Sequence, residues 1–235
     1  MNSRHRQDGA TLAEFVVIIP FALLFVLAII QLGLMYSAKQ IVNEGAFLAA
    51  RAGSVQNADP QSMQDAMMKA LIPLYQNSTE SDDATRLKSA LNDARHDRSC
   101  NGPCLNIEIL NPTPAAFTDF GVSSSASGGR TYIPNDNLEF RSHDVVGPSS
   151  GLSIQDANAL KIKVTYGYEL KVPLMKLVIA SVMCAVVNTG IEAFQGDSPP
   201  YANPSGNDCV SFYKNGRVPI VSYATVQMQT PAFEN

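Results

Sequence analysis

Apolar and polar positions alternate with a different rhythm in each part of this chain. Residues 15–36 are 22 positions without a charge, and Gln31 is the only strongly polar interruption. As an α-helix that run measures roughly 33 Å, close to a hydrocarbon core of about 30 Å, and it predicts a transmembrane segment or its equivalent inside a filament. Residues 36–53 (YSAKQIVNEGAFLAARAG) continue without proline and are rich in alanine. There Ile41, Leu48 and Ala52 can share one side while Glu44 and Arg51 lie elsewhere. Together residues 10–53 predict one helix roughly 66 Å long, which exceeds the bilayer. Along it Gly33, Ser37, Gly45, Ala49 and Gly53 fall on four-residue steps broken only by Ile41. Such a stripe of small residues lets another backbone come close.

Shorter elements follow. Asp59 can cap a helix whose first position is Pro60, with Met63, Met67 and Leu71 on its buried face and Pro73 ending it. Ser81 or Asp82 can cap a second helix, in which Leu87 and Leu91 stand four apart and Arg95 and Arg98 lie near the end. CLNIEIL alternates over Leu105, Ile107 and Ile109 and predicts a strand. So does ALKIKVTYGYELKVP, where Leu160, Ile162, Val164, Tyr166 and Tyr168 face one way. A last strand is predicted at residues 217–230, with Val218, Ile220 and Ser222 on one face and Val221, Tyr223 and Thr225 on the other. Pro219 cannot donate to a ladder, so that strand should begin at a sheet edge. Residues 174–187 are apolar with Lys176 as their one charge, too short to span a bilayer and expected as a buried or interface-lying helix.

Residues 111–158 have another texture, dominated by Pro, Ser, Gly, Asn and Asp, with Phe117, Phe120, Tyr132 and Phe140 scattered among them. They are expected at the surface, with a short hairpin near 130–140. The expected fold is α+β: a long N-terminal transmembrane helix, then a small periplasmic domain with an antiparallel sheet and two or three helices. Its divisions are a leader at 1–9, the helix at 10–53, and the domain at 54–235 with its loop-rich segment at 111–158.

Charge and cysteine content refine this picture. A net charge of -4 and a pI near 5.3 argue against a nucleic-acid partner. A cleaved secretory signal would have a shorter apolar core and a small-x-small site, whereas Tyr36-Ser37-Ala38 puts a bulky Tyr where a small residue belongs. Arg4 and Arg6 precede the run, partly offset by Asp8, and the tail is short. The N terminus is therefore expected in the cytoplasm and residues from about 40 onward in the periplasm or outside the cell. Cys100, Cys104, Cys184 and Cys209 all lie beyond the apolar run, where disulfides can form. Four cysteines allow three pairings; nearest neighbours would join Cys100 to Cys104 and Cys184 to Cys209.

Catalytic patterns give little. Gly147-Pro148-Ser149-Ser150-Gly151 fits G-x-S-x-G, but the histidine of that arrangement must follow the serine, and His143 is the last one here. His96, Cys100 and Cys104 lack a fourth ligand and a common zinc spacing. No phosphate-binding loop, dinucleotide fingerprint or zinc-protease motif occurs. Neither an enzyme nor a cofactor is expected.

The N terminus carries the specific signal. Gly9 is followed by Ala10-Thr11-Leu12-Ala13, then by Glu14-Phe15 and the apolar helix. This resembles the class III signal of type IV pilins and pseudopilins, in the form found in Flp-type pili. The stretch from Gly9 to Arg51 resembles the TadE-like family of tight-adherence pilus assembly proteins. The resemblance implies that a prepilin peptidase cuts between Gly9 and Ala10 at the cytoplasmic face of the inner membrane. Losing Arg4, Arg6 and Asp8 with the leader would change the net charge from -4 to -5. It implies further that Glu14 can neutralise the new amine of a neighbouring pilin-like subunit, and that the chain is a pseudopilin-like minor component or assembly factor of a Tad/Flp system. A signal-anchored periplasmic binding protein or adhesin is the alternative.

Overall fold

The computed structural model describes residues 10–76, 82–97, 104–123, 128–176, 178, 179, 212 and 216–234. The chain divides into two compact units, Met1–Ser37 with Glu169–Val218, and Ala38–Tyr168 with Pro219–Asn235. Helix α1 (Ala10–Val55) has 46 residues, about 69 Å of helix, two residues beyond the expected end. Pro20 lies inside it and removes one intrahelical bond.

In the second unit, α1 packs against α2 (Pro60–Tyr75). Asp59 caps α2 as expected, its carboxylate accepting from the Ser62 N–H at 2.8 Å, and Pro60 is the first helical residue. Met63, Met67, Met68 and Leu71 are buried. The expected stop at Pro73 does not occur, and the helix runs on to Tyr75. Pro73 and Lys69 both lie on the exposed side, where solvent can take up the carbonyl that proline leaves without a donor. Helix α3 (Asp83–Asp97) is capped by Asp82, which accepts from the Thr85 N–H at 2.9 Å and the Thr85 hydroxyl at 2.7 Å. Its buried face is Ala90 and Ala94; Leu87 is half exposed and Leu91 only half-buried. The small alanines let α3 lie close to α2, so the leucine pair does not form the contact.

Strand β1 (Leu105–Asn111) pairs antiparallel with β4 (Ala159–Glu169), matching Leu105 with Tyr166, Ile107 with Val164 and Ile109 with Ile162. The register shifts between Ile109 and Asn111. β4 is the central strand and β5 (Arg217–Gln227) lies on its other side, so Pro219 does fall on an edge strand. Ile220, Ser222 and Ala224 are the buried face of β5. Lys39 of α1 donates its ammonium to the Val221 carbonyl of that strand.

The segment 111–158 is more built than its composition suggests. It holds α4 (Pro114–Phe120), β2 (Val122–Ser123), β3 (Thr131–Ile133), a 3₁₀ turn at Leu138–Phe140, and α5 (Ile154–Ala157). The hairpin expected near 130–140 instead pairs β3 with the earlier β2, because Gly128 and Gly129, both at positive φ, precede β3 and Pro134 follows it. The second sheet is completed by β6 (Ala232–Phe233), in the order β2-β3-β6. Ala116, Phe117, Ile133, Ile154 and Ala157 are buried, so this segment contributes core as well as surface.

The C-terminal residues secure the end of α1. The Gln229 and Thr230 N–H groups donate to the Ser54 carbonyl at 2.9 and 3.1 Å, and the Phe233 N–H donates to the Asn57 carbonyl at 3.1 Å. Asn57 returns its side-chain amide to the Pro231 carbonyl at 2.8 Å. These bonds hold the turn after α1, where Asn57 and Ala58 both adopt left-handed conformations.

Candidate functional site: the N-terminal helix

Gly9 lies outside the described residues, and α1 begins at Ala10. Glu14 stands about one turn further on and is exposed, as is Phe15. Thereafter the apolar side chains point outward: Phe21 is 73% and Phe25 65% exposed, and Ile18, Leu23 and Leu32 are each more than half exposed. An apolar surface of that length is not left to water, and a hydrocarbon layer or neighbouring apolar helices must cover it. Among the described residues α1 is the one helix long and apolar enough to cross a membrane.

Gln31 is the exception within the run. It is 1% exposed, and its side-chain Oε1 accepts from the Val172 N–H at 3.0 Å. Its Nε2 is buried without a hydrogen-bond partner. Close by in sequence, Glu169 pairs with Lys171 at 3.0 Å and Lys176 at 3.1 Å. The bond from Lys171 and then that from Lys176 hold the Glu169 carboxyl below its ordinary range, against a partial burial that raises it. Met175, Lys176, Val178 and Ile179 are helical; the rest of the apolar stretch to residue 187 lies outside the described residues.

The stripe of small residues divides into two halves. Gly45, Ala49 and Gly53 are buried, together with Ala38, Val42, Ala46 and Ala50. A Cβ on Gly45 would stand 2.7 Å from the Met67 sulfur, and one on Gly53 would stand 2.7 Å from the Met63 sulfur and 2.8 Å from a Leu160 methyl. These positions therefore receive side chains of α2 and β4 in the same chain. This face, rather than the one carrying Ile41, Leu48 and Ala52, is the buried side: Leu48 is exposed and the other two are half-buried. Gly33 and Ser37 are exposed, and a Cβ on Gly33 would meet nothing within 4 Å.

Cys104 is buried just before β1 and is disulfide-bonded, while Cys100, Cys184 and Cys209 lie outside the described residues.

The G-x-S-x-G pentapeptide forms a turn organised by Asp119, a residue that sequence reading did not single out. The Asp119 carboxylate accepts from the Ser150 N–H and hydroxyl, each at 2.7 Å, and from the Ser149 N–H at 3.1 Å. Gly151, at φ 67°, donates its N–H to the Gly147 carbonyl at 2.8 Å. Desolvation raises the Asp119 carboxyl, but the bonds from Ser150 and Ser149 together prevail and hold it below the usual carboxylate range. Serine here serves the turn. The only local sequence signal is the Gly-Ser-rich turn itself, since Asp119 is 30 residues from Ser149.

A second unanticipated feature surrounds Phe233. The Arg130 guanidinium lies 4.0 Å from its ring centroid and Tyr132 meets it edge-on at 6.2 Å. A cleft of about 190 Å³ between Ile109, Pro112, Phe117 and Phe233 is smaller than most small-molecule sites.

No curated protein and no solved structure matches this chain. The family model described as TadE-like protein matches residues 9–51, the stretch with the glycine, the Glu14-Phe15 pair, the exposed apolar helix and its alanine-rich continuation, and it points to a component associated with a Tad pilus.

Proposed function

We propose that the chain is a pilin-like component of a Tad/Flp pilus system, made as a precursor and cut by a prepilin peptidase between Gly9 and Ala10. In this reading the N terminus faces the cytoplasm, α1 is the inner-membrane anchor, and the domain beyond it is periplasmic. The chain acts by assembling with other pilin-like subunits and not as an enzyme. The observation that carries the reading is the offset between Gly9 and Glu14 at the head of an uncovered apolar helix, inside the segment that matches the TadE-like model. After cleavage, the Ala10 amine and the Glu14 carboxylate stand about one turn apart. A charge placed in hydrocarbon costs about 2.5–3.5 kcal/mol at a helix centre, so pairing with a neighbour's amine favours association over isolation. By itself Glu14 at the head of a helix is worth only about 0.3–1 kcal/mol.

The test is complementation of a deletion strain of the native host. Deletion is expected to abolish or sharply reduce surface pili, the wild-type gene to restore them, and a Glu14→Val gene to fail while its product still reaches the membrane. Normal piliation in the deletion strain would refute the reading.

A further inference from the structure

Gln31 stands 17 residues after Glu14, about 26 Å further along α1. With Glu14 at the inner edge of a hydrocarbon core about 30 Å thick, Gln31 lies within one turn of the outer edge. At that depth a backbone N–H must find a protein partner, because water does not supply one. The Val172 N–H has one in Gln31 Oε1, at 3.0 Å, in a buried bond. That bond fixes the chain around Val172 to the helix at the boundary between acyl chains and headgroups.

The residues brought to this level suit it. Leu170, Val172 and Met175 are buried, whereas Pro173 is exposed and Leu174 is 58% exposed. Lys171 and Lys176 share the single carboxylate of Glu169, which leaves the three groups with one net positive charge, and both lysine side chains are about half exposed. At the same height on α1, Ile30, Leu32 and Tyr36 are exposed. The apolar surface of the anchor is thus continued by a second, cationic and partly apolar segment of the same unit.

We propose that residues 169–176 form a second membrane contact, a foot resting in the outer headgroup layer beside the anchor. Leu174 enters the acyl boundary, and the ammonium groups of Lys171 and Lys176 reach lipid phosphates while their stems cover apolar surface. The occupant is a phospholipid surface containing anionic headgroups, chosen by the net positive charge and by continuity with the apolar band of α1. The inference rests on α1 being a membrane anchor.

The chain has no tryptophan, so a single introduced one reports its own surroundings. Full-length Leu174→Trp and Phe25→Trp chains are reconstituted in phosphatidylcholine–phosphatidylglycerol vesicles whose acyl chains are brominated near the headgroup or near the bilayer centre. Leu174→Trp is expected to lose most of its emission to the shallow bromines and to resist acrylamide, and Phe25→Trp to be quenched best by the deep ones. If Leu174→Trp stays bright in both lipids while Phe25→Trp is quenched, the foot does not exist. Acrylamide access would then mean that water covers it, and acrylamide protection that protein does. If Phe25→Trp is not quenched either, the anchor reading fails with it.

Discussion

At the scale of single residues, two carboxylates with exposed surroundings have opposite roles. Glu14 has no neighbour of opposite charge nearby in sequence and heads an apolar helix, so its role points outside the chain. Asp119 is used within the chain, gathering the N–H groups of Ser149 and Ser150 and the Ser150 hydroxyl. Because its folded pKa is depressed, its contribution to stability is present above the unfolded carboxylate value near 3.9 and is lost as pH falls through the lower folded value. Asp119→Ala is therefore expected to lower the urea midpoint at pH 7 and to differ less from wild type as the pH is brought below that range. A gap between the two proteins that stays constant with pH would show that the charge plays no part. Glu14 was legible because its meaning lies in a spacing of five residues from Gly9. Asp119 was not, because the groups it serves are 30 residues away and nothing in a Gly-Ser turn names the acid that closes it.

At the scale of elements, legibility follows the range of the forces involved. The caps of α2 and α3 could be read because Asp59 and Asp82 act on backbone three residues ahead. The faces buried by tertiary packing were read less well. In α3 the alanines at 90 and 94 were chosen over the leucines at 87 and 91, and in α1 the glycine-alanine face over Ile41 and Leu48. In both helices close approach outweighed side-chain size, as dense interiors favour interlocking shapes over apolarity alone. The stripe in α1 consequently has an intramolecular use over Gly45, Ala49 and Gly53, where α2 methionines and Leu160 fill the space a side chain would need. Gly53→Val is expected to destabilise the detergent-solubilised protein by about 1–3 kcal/mol in chemical denaturation, since overpacking forces displacement of both Met63 and Leu160. An unchanged midpoint would mean that α2 yields without cost and that the stripe is not a packing device. Proline gave a half-correct signal: Pro219 sits on an edge strand, but Pro73 did not stop α2, because its missing bond falls on a solvated face.

At the scale of the molecule, one long helix participates in two units of different character. Its first part presents apolar side chains outward, and its residues from Ala38 onward belong to an ordinary buried core. The α+β class, the long helix and the principal strands were legible because each repeats its pattern over many residues. The small sheet of β2, β3 and β6 was not, since strands of two or three residues are too short to show a period and depend on pairing between segments about a hundred residues apart. The candidate site was legible in its covalent signal, Gly9 through Phe15, and much less in how residues beyond 168 meet the helix at Gln31. The central claim is that this helix is released from a precursor by one cut and thereafter carries a free amine close to Glu14. Intact-mass spectrometry of the chain co-produced with a Tad prepilin peptidase measures that directly. The account expects loss of the mass of residues 1–9 with Ala10 as the new N terminus, and no loss for Gly9→Ala; a wild-type chain that keeps its full mass in the presence of the active peptidase would contradict it.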